Sequence, residues 1–308
     1  MRTRVLGRSG IDVSEIGLGT WGLTGEAYGP VNPGDARRTI ETALDEGVTL
    51  IDVAACYGAD GAMEKLLGEV LAARARTSVR VCLRVGVDRP VEGVIRKRFD
   101  AASVMELVEI SLARLGTPYV DVLLLHNPRL ETLRTNVLGA LWDLKERSRA
   151  RAVGVSAGSE SVARECARAS VDVVSIPYSA LYPTMLHAVE SELVAQRIGV
   201  LAHSPLAYGL MADTWDSSRV FAEGDHRRTR WTADELRARE RQRDKYRPYV
   251  RGHVRSLREA GLRWVLTNKA VHSAIVGART PEHARQNAHA ADELPLLPQL
   301  ESAGPTAR

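Results

Sequence analysis

Four side chains could between them polarise and protonate an oxygen: Asp52 and Tyr57 in "IDVAACYG", Arg84 in "VRVCLRV" and His126 in "VDVLLLHNP". A phenol, with an ordinary pKa of about 10, becomes a usable proton donor when a cation stands beside it and a carboxylate holds that cation in place. An imidazole at the same rim can orient the accepting oxygen. Each residue also has a plainer use. Asp52 could cap a turn, Tyr57 could be a half-buried aromatic, and His126 before Asn-Pro could satisfy a loop carbonyl. Four such groups at the ends of consecutive strands point to proton-donating chemistry instead.

Eight short β-type runs supply the strands: residues 15–20, 48–54, 79–85, 120–126, 152–156, 171–177, 199–206 and 273–278. Most are apolar on both faces, as strands between a core and a helical layer must be. Amphipathic segments separate them, and three end in glycine: "DARRTIETALDEG" at Gly47, "SVMELVEISLARLG" at Gly116 and "AVESELVAQRIG" at Gly199. The alternation predicts an α/β chain folded as one (β/α)8 TIM barrel, a single domain over residues 1–308; a doubly wound open sheet is the competing topology. "RVLGRSGIDVSEIG" reads as an N-terminal β-hairpin turning at Ser9-Gly10 and covering the barrel's N-terminal end. The C-terminal tail "ELPLLPQLESAGPTAR" reads as irregular. In such a barrel the chemistry sits at the C-terminal ends of the strands, where Asp52, Tyr57, Arg84 and His126 fall.

"GLGTWG" (17–22) satisfies G-x-G-x-x-G after a strand, but "LTGEAYGPVNPG" follows it and cannot open the helix that a dinucleotide fingerprint needs. The Rossmann reading is therefore refused.

Hydrophobic residues make up 44% of the chain and charged ones 26%, the balance of a globular protein with a sizeable core. The net charge is +4, but acidic and basic residues are interleaved, so no nucleic-acid partner is implied. The densest basic stretch, 225–251, contains Asp and Glu and reads first as a solvated loop and helix, with an anion-attracting funnel as its other use. Only five of the 42 basic residues are lysine, which makes arginine the default cation. The three cysteines lack paired spacing and suit a reducing cytoplasm. Neither a secretory h-region nor a run of about 18 apolar residues is present, so no membrane partner is expected. No metal site is predicted.

Ordered motifs along nearly the whole chain carry a resemblance: "LGRSGIDVSEIGLGTW", "IDVAACYG" with "MEKLLGEVL" behind it, "YVDVLLLHNP", "AVGVS" and "IVGARTPEHARQN". In this order the chain resembles the aldo-keto reductase superfamily. The resemblance implies a barrel that binds NADPH, NADP(H) being its cofactor, without a Rossmann fold and reduces an aldehyde or ketone by hydride transfer. Sugars and specialised metabolites are among the small-molecule carbonyl substrates it allows. Carried over by position, Tyr57 is the general acid, Asp52 and Arg84 are its electrostatic partners, and His126 orients the carbonyl. Thr20 lies beside the nicotinamide and Trp21 beside the substrate, which the 209–231 loop and the tail also border. Ser156, Ser175, His203, Ser204, Leu206, Gly209 and Gly277 fall at cofactor positions. Arg279 and Thr280 would meet the 2′-phosphate, a suitable task for a guanidinium at a loop entering a helix. Gln286 and Asn287 would face the adenine.

Four positions depart from the family pattern near the reacting end of the cofactor. Arg84 stands for the family's lysine, Ala157 for an asparagine, Ser175 for a glutamine, and His203 for an aromatic residue. Arginine keeps the positive charge but is bulkier, planar and not deprotonated. Two other functions therefore accompany carbonyl reduction: a non-redox acid–base enzyme, lyase or isomerase, and a nucleotide-sensing binding protein on the same barrel. Substrate, stereochemistry and oligomeric state follow no readable sequence code.

Overall fold

The computed structural model describes residues 1–91, 93–290 and 292. Eight parallel strands close into a barrel. They are β1 (Ile16–Gly19), β2 (Leu50–Ala54), β3 (Arg80–Val85), β4 (Val120–His126), β5 (Ala150–Ser156), β6 (Val173–Pro177), β7 (Gly199–His203) and β8 (Val271–Gly277). Neighbours in sequence are neighbours in the sheet, and β8 pairs with β1 to complete the ring. An open sheet is excluded.

Alternation along each strand sorts the side chains. Ile51, Val53, Val81, Leu83, Leu123 and Val153 join the large apolar cluster that includes the surrounding helices. Leu50, Cys82, Val122, Ala152, Val173 and Leu201 form a second cluster inside the cylinder. Two residues further along, the same inward register carries Asp52, Arg84, Leu124, Gly154, Ser175 and His203, and His126 and Ser156 follow on β4 and β5. The polar rim thus continues the same side of the strands that fills the barrel.

The N-terminal hairpin pairs Thr3–Val5 with Asp12–Ser14, and Gly10 takes φ +68° in the connection, as its glycine suggests. Leu6, Ile11 and Val13 join the interior cluster and stopper the barrel's N-terminal end. Gly199 is accounted for by this stopper. The helix expected to stop there ends earlier, spanning Glu190–Ala195, with Arg197 taking the positive φ, and Gly199 instead opens β7. A Cβ at Gly199 would lie 2.7 Å from Leu6, so the glycine serves hairpin packing rather than helix termination. Strand β7 also stops at His203, short of the expected 206, because Ser204 turns the chain at φ +57°. The expected stops at Gly47 and Gly116 follow helices Pro33–Asp45 and Ala101–Leu115.

The refused fingerprint is strand followed by a short 3₁₀ turn at Trp21–Leu23, with the next α-helix beginning only at Pro33. Its glycines serve packing: a Cβ at Gly17 would come within 2.6 Å of Ile275 across the β1–β8 seam. Among the described residues no helix is long and apolar enough to cross a membrane. The tail from residue 293 onward lies outside the described residues.

Candidate active site

Arg84 organises the C-terminal mouth of the barrel. Its Nε donates to both carboxylate oxygens of Asp52, at 2.8 and 3.1 Å. Its Nη1 donates to Ser156 Oγ, and its Nη2 donates to Ser175 Oγ at 3.0 Å. Ser175 Oγ in turn lies 2.9 Å from His203 Nδ1. One guanidinium therefore joins β2, β3, β5 and β6, and reaches β7 through the serine. Burial opposes the Arg84 charge most strongly, but Asp52, Tyr57 and Cys82 together outweigh it and hold the guanidinium pKa above its ordinary value. A lysine, with one compact ammonium, could not reach three partners in this forked geometry. Arg84, Ser175 and His203 are thus one hydrogen-bonded unit. Ala157 is fully buried beside it, its backbone N–H donating to Ser175 O at 2.8 Å.

Thr20 braces the same rim, donating through Oγ1 to Asp52 O at 2.8 Å. Tyr57 follows β2 by three residues and meets His126 edge-on, with ring centroids 5.9 Å apart. Burial raises the Tyr57 pKa, and Arg84 lowers it by less. The expected acidification of the phenol by its cation is therefore outweighed, and Tyr57 keeps its proton well above neutral pH. Burial, reinforced by Arg84, depresses His126 to about 3 and His203 well below its ordinary value, so both rings are neutral at pH 7. Cys56 Sγ lies 3.6 Å from His126 Nδ1, and burial pushes its thiol up to about 12. Nothing about "AACYG" singled out this cysteine; only the β2–β4 placement does.

Beyond the rim, a cavity of about 220 Å³ is lined in part by Ser204, Leu206, Gly209, Gly277 and Arg279. It also takes Arg219, Arg227, Arg258 and His283, which sequence reasoning missed. Arg279 donates through Nη2 to Gly29 O and Pro30 O, both at 3.0 Å, while its buried Nε has no partner. Four guanidiniums around one cavity, one with an orphaned donor, suit a multiply anionic ligand such as a dinucleotide. Thr280 caps helix Pro281–His289, its Oγ accepting from His283 N at 3.2 Å. Gln286 bonds Glu282 on the exposed face of that helix. Asn287 is buried, accepting from Arg258 at 3.1 Å and donating to Gly277 O at 3.2 Å, so it positions a cavity-lining arginine.

The basic stretch from 225 onward is less solvated than its composition suggests. Helix Ala233–Asp244 forms, but Arg227 and Arg243 are buried. Arg227 pairs with Asp225 through two bonds and packs against the rings of Phe221 and Tyr28, at 4.6 and 4.9 Å. His226 sits against Trp21 at 4.7 Å and Tyr28 at 4.6 Å, and its backbone N–H donates to Ala27 O. These contacts tie the 226 segment to the loop carrying Trp21. A core of aromatic rings and paired guanidiniums, invisible to charge counting, buries this strap.

A family model, Aldo/keto reductase family, matches residues 15–300. Aldo-keto reductase YhdN of Bacillus subtilis (strain 168) is 29% identical over 280 residues, covering 89% of this chain and 83% of that protein. The NADH-specific methylglyoxal reductase of Escherichia coli (strain K12) is 28% identical over 312 residues, covering 93% and 92%. Among solved structures, the holo form of aldo-keto reductase AKR11C1 from Bacillus halodurans superposes with a TM-score of 0.80 at 25% identity, covering 96% of this chain and 93% of that one.

Proposed function

Because the chain belongs to the aldo/keto reductase family, an oxidoreductase family, we propose that it reduces an aldehyde or ketone at the expense of NADPH, with Tyr57 as the proton donor. The observation that carries this reading is the buried Arg84–Asp52 pair at the same mouth as Tyr57 and His126. When bound, the reduced dinucleotide supplies the hydride. Tyr57 holds its proton on the phenol oxygen and delivers it to the carbonyl oxygen as charge develops there, while the fixed Arg84 charge offsets the phenolate left behind. The protonated Cys56 thiol, placed toward His126 Nδ1, leaves the imidazole proton on Nε2, where it can orient that oxygen.

Arg279, Arg227 and Arg258 would hold the dinucleotide phosphates, with Arg279 and Thr280 turned to the 2′-phosphate that distinguishes NADPH. The NADH-specific relative makes this preference a matter for titration. A small-molecule carbonyl substrate, a single barrel domain and a cytoplasmic setting belong to the same proposal.

Purified protein should oxidise NADPH when mixed with a panel of aldehydes and ketones, and Tyr57→Phe should slow this roughly 10²–10⁴-fold. Tight NADPH binding with no oxidation across the panel would refute the reading. One observation favours a second function, non-redox acid–base catalysis on the same barrel: the Ser156 and Ser175 hydroxyls at the altered end already accept from Arg84. Substrate conversion with no net change in NADPH would select it.

A further inference from the structure

A second cleft, of about 430 Å³, opens beside the arginine-rich cavity, with Ser204 and Tyr208 lining both. Its floor includes Pro177 at the end of β6. Pro177 pairs in register with His203, so the floor continues the Arg84–Ser175–His203 chain. Its walls include Tyr182, Tyr208, Trp231 and Met185, and two cations enter it, Arg230 and Arg239.

The two arginines are held unlike most others in the molecule. Arg230 lies over the Tyr208 ring at 3.7 Å and Arg239 over the Tyr182 ring at 4.3 Å. Trp231 Nε1 donates to Tyr182 Oη at 3.0 Å and fixes that ring. Stacking engages the flat face of a guanidinium and leaves its N–H edge pointing along the ring plane. Among the described residues Arg230 spends only its Nε, on His226 Nδ1 at 3.2 Å, which leaves both terminal nitrogens of its fork. Arg239 spends Nη1 on Leu181 O and Gln242 Oε1. Among the described residues neither has a carboxylate within ion-pair distance, whereas Arg227, Arg237, Arg243 and Arg247 of the same segment all do. Among the described residues no acidic side chain lines the cleft.

We propose that this cleft receives a carboxylate on a small, planar or unsaturated carbonyl compound, with Arg230 and Arg239 as the specificity-determining cations. The edges of two stacked guanidiniums match a carboxylate in shape and charge, and the aromatic walls take its apolar body. The inference rests on the reading of the protein as a carbonyl reductase and adds the substrate class to it. The same cations could meet a phosphate of the dinucleotide, since the two cavities share Tyr208. The experiment separates these sources.

Turnover is measured for 3- and 4-carboxybenzaldehyde and for 4-carboxycinnamaldehyde, each beside its neutral amide. At least one acid should show a KM tenfold or more below that of its amide. This preference should fall to near parity in the Arg230→Gln/Arg239→Gln variant, with NADPH affinity unchanged and partial recovery in Arg230→Lys/Arg239→Lys. Equal KM values for every acid and amide would overturn the proposal. So would a variant whose NADPH affinity drops tenfold while the acid preference stays, which would assign the cations to the dinucleotide. If no aldehyde is reduced, the carbonyl reading fails on its own, and calorimetry decides the cleft. p-Toluate should then bind without dinucleotide while p-toluamide does not, and binding should vanish in the glutamine variant; toluate that fails to bind removes the cleft's assignment too.

Discussion

Arg84 and Ser175, ninety-one positions apart, meet inside the barrel mouth with Nη2 donating to Oγ at 3.0 Å. The contact joins β3 and β6 across the barrel mouth. The Arg84 guanidinium needs acceptors for its fork, and short hydroxyls on β5 and β6 provide them. A buried ion pair of this kind costs desolvation, which the Asp52 bonds and the two serines offset together.

Removing the cation alone should therefore be worse than removing the pair. Arg84→Met leaves Asp52 buried and uncompensated and should lower the unfolding free energy by about 3–5 kcal/mol. The Arg84→Met/Asp52→Asn double variant should recover a large part of that loss. Urea unfolding of the two single variants and the double one closes the cycle; strict additivity would contradict the coupling.

Catalysis by Tyr57 has a pH signature. Burial keeps the phenol protonated beyond its ordinary range, and His126 is held near 3, so neither group changes state between pH 5 and 9. The profile of kcat/KM should be flat across that range, with no limb near pH 6.5. Tyr57→Phe should reduce kcat by roughly 10²–10⁴-fold with dinucleotide binding intact. A well-defined limb at 6.5 would place a histidine proton in the reaction instead.

His272 reports on stability rather than activity. It accepts from Val200 N at 3.0 Å between β7 and β8, and burial, with Arg4 nearby, lowers its pKa from 6.5 to about 4. Between those values the unfolded chain binds a proton that the folded chain refuses. Stability should thus be full above pH 6.5, fall as pH drops toward 4, and lose no more from this residue below that. The share due to His272 is on the order of 3 kcal/mol. Thermal midpoints of His272→Gln should decline less steeply over the same interval, even from a lower starting value.

Arg279 should set the choice between dinucleotides. Its replacement by glutamine removes a charge-assisted contact worth about 1.5–3 kcal/mol. NADPH affinity should fall roughly 10–100-fold while NADH affinity changes little. Fluorescence titration of the nicotinamide measures both; an equal loss for the two would assign Arg279 to a phosphate they share.

Much of this protein is readable from residue order because its strands are short continuous apolar runs separated by amphipathic segments. The eight runs, the placing of Asp52 and Arg84 at strand ends, and the N-terminal hairpin all follow from local pattern. The misreadings have a common origin. Gly199 was expected to stop a helix, but its lack of a side chain answers Leu6, which is remote in sequence. Arg227 counted as a solvated charge until Asp225 and three aromatic rings enclosed it.

The sequence by itself determined the eight β/α units and the identity of the groups at their strand ends, since those depend on neighbours within a few residues. Closure of the ring decided the rest. It brought Ser156 and Ser175 to the Arg84 fork, set the burial that keeps Tyr57 protonated and His126 neutral, and left Arg230 and Arg239 without carboxylate partners among the described residues. Hydrogen-bond partnership and desolvation depend on atoms gathered from distant segments, and only the folded chain assembles them.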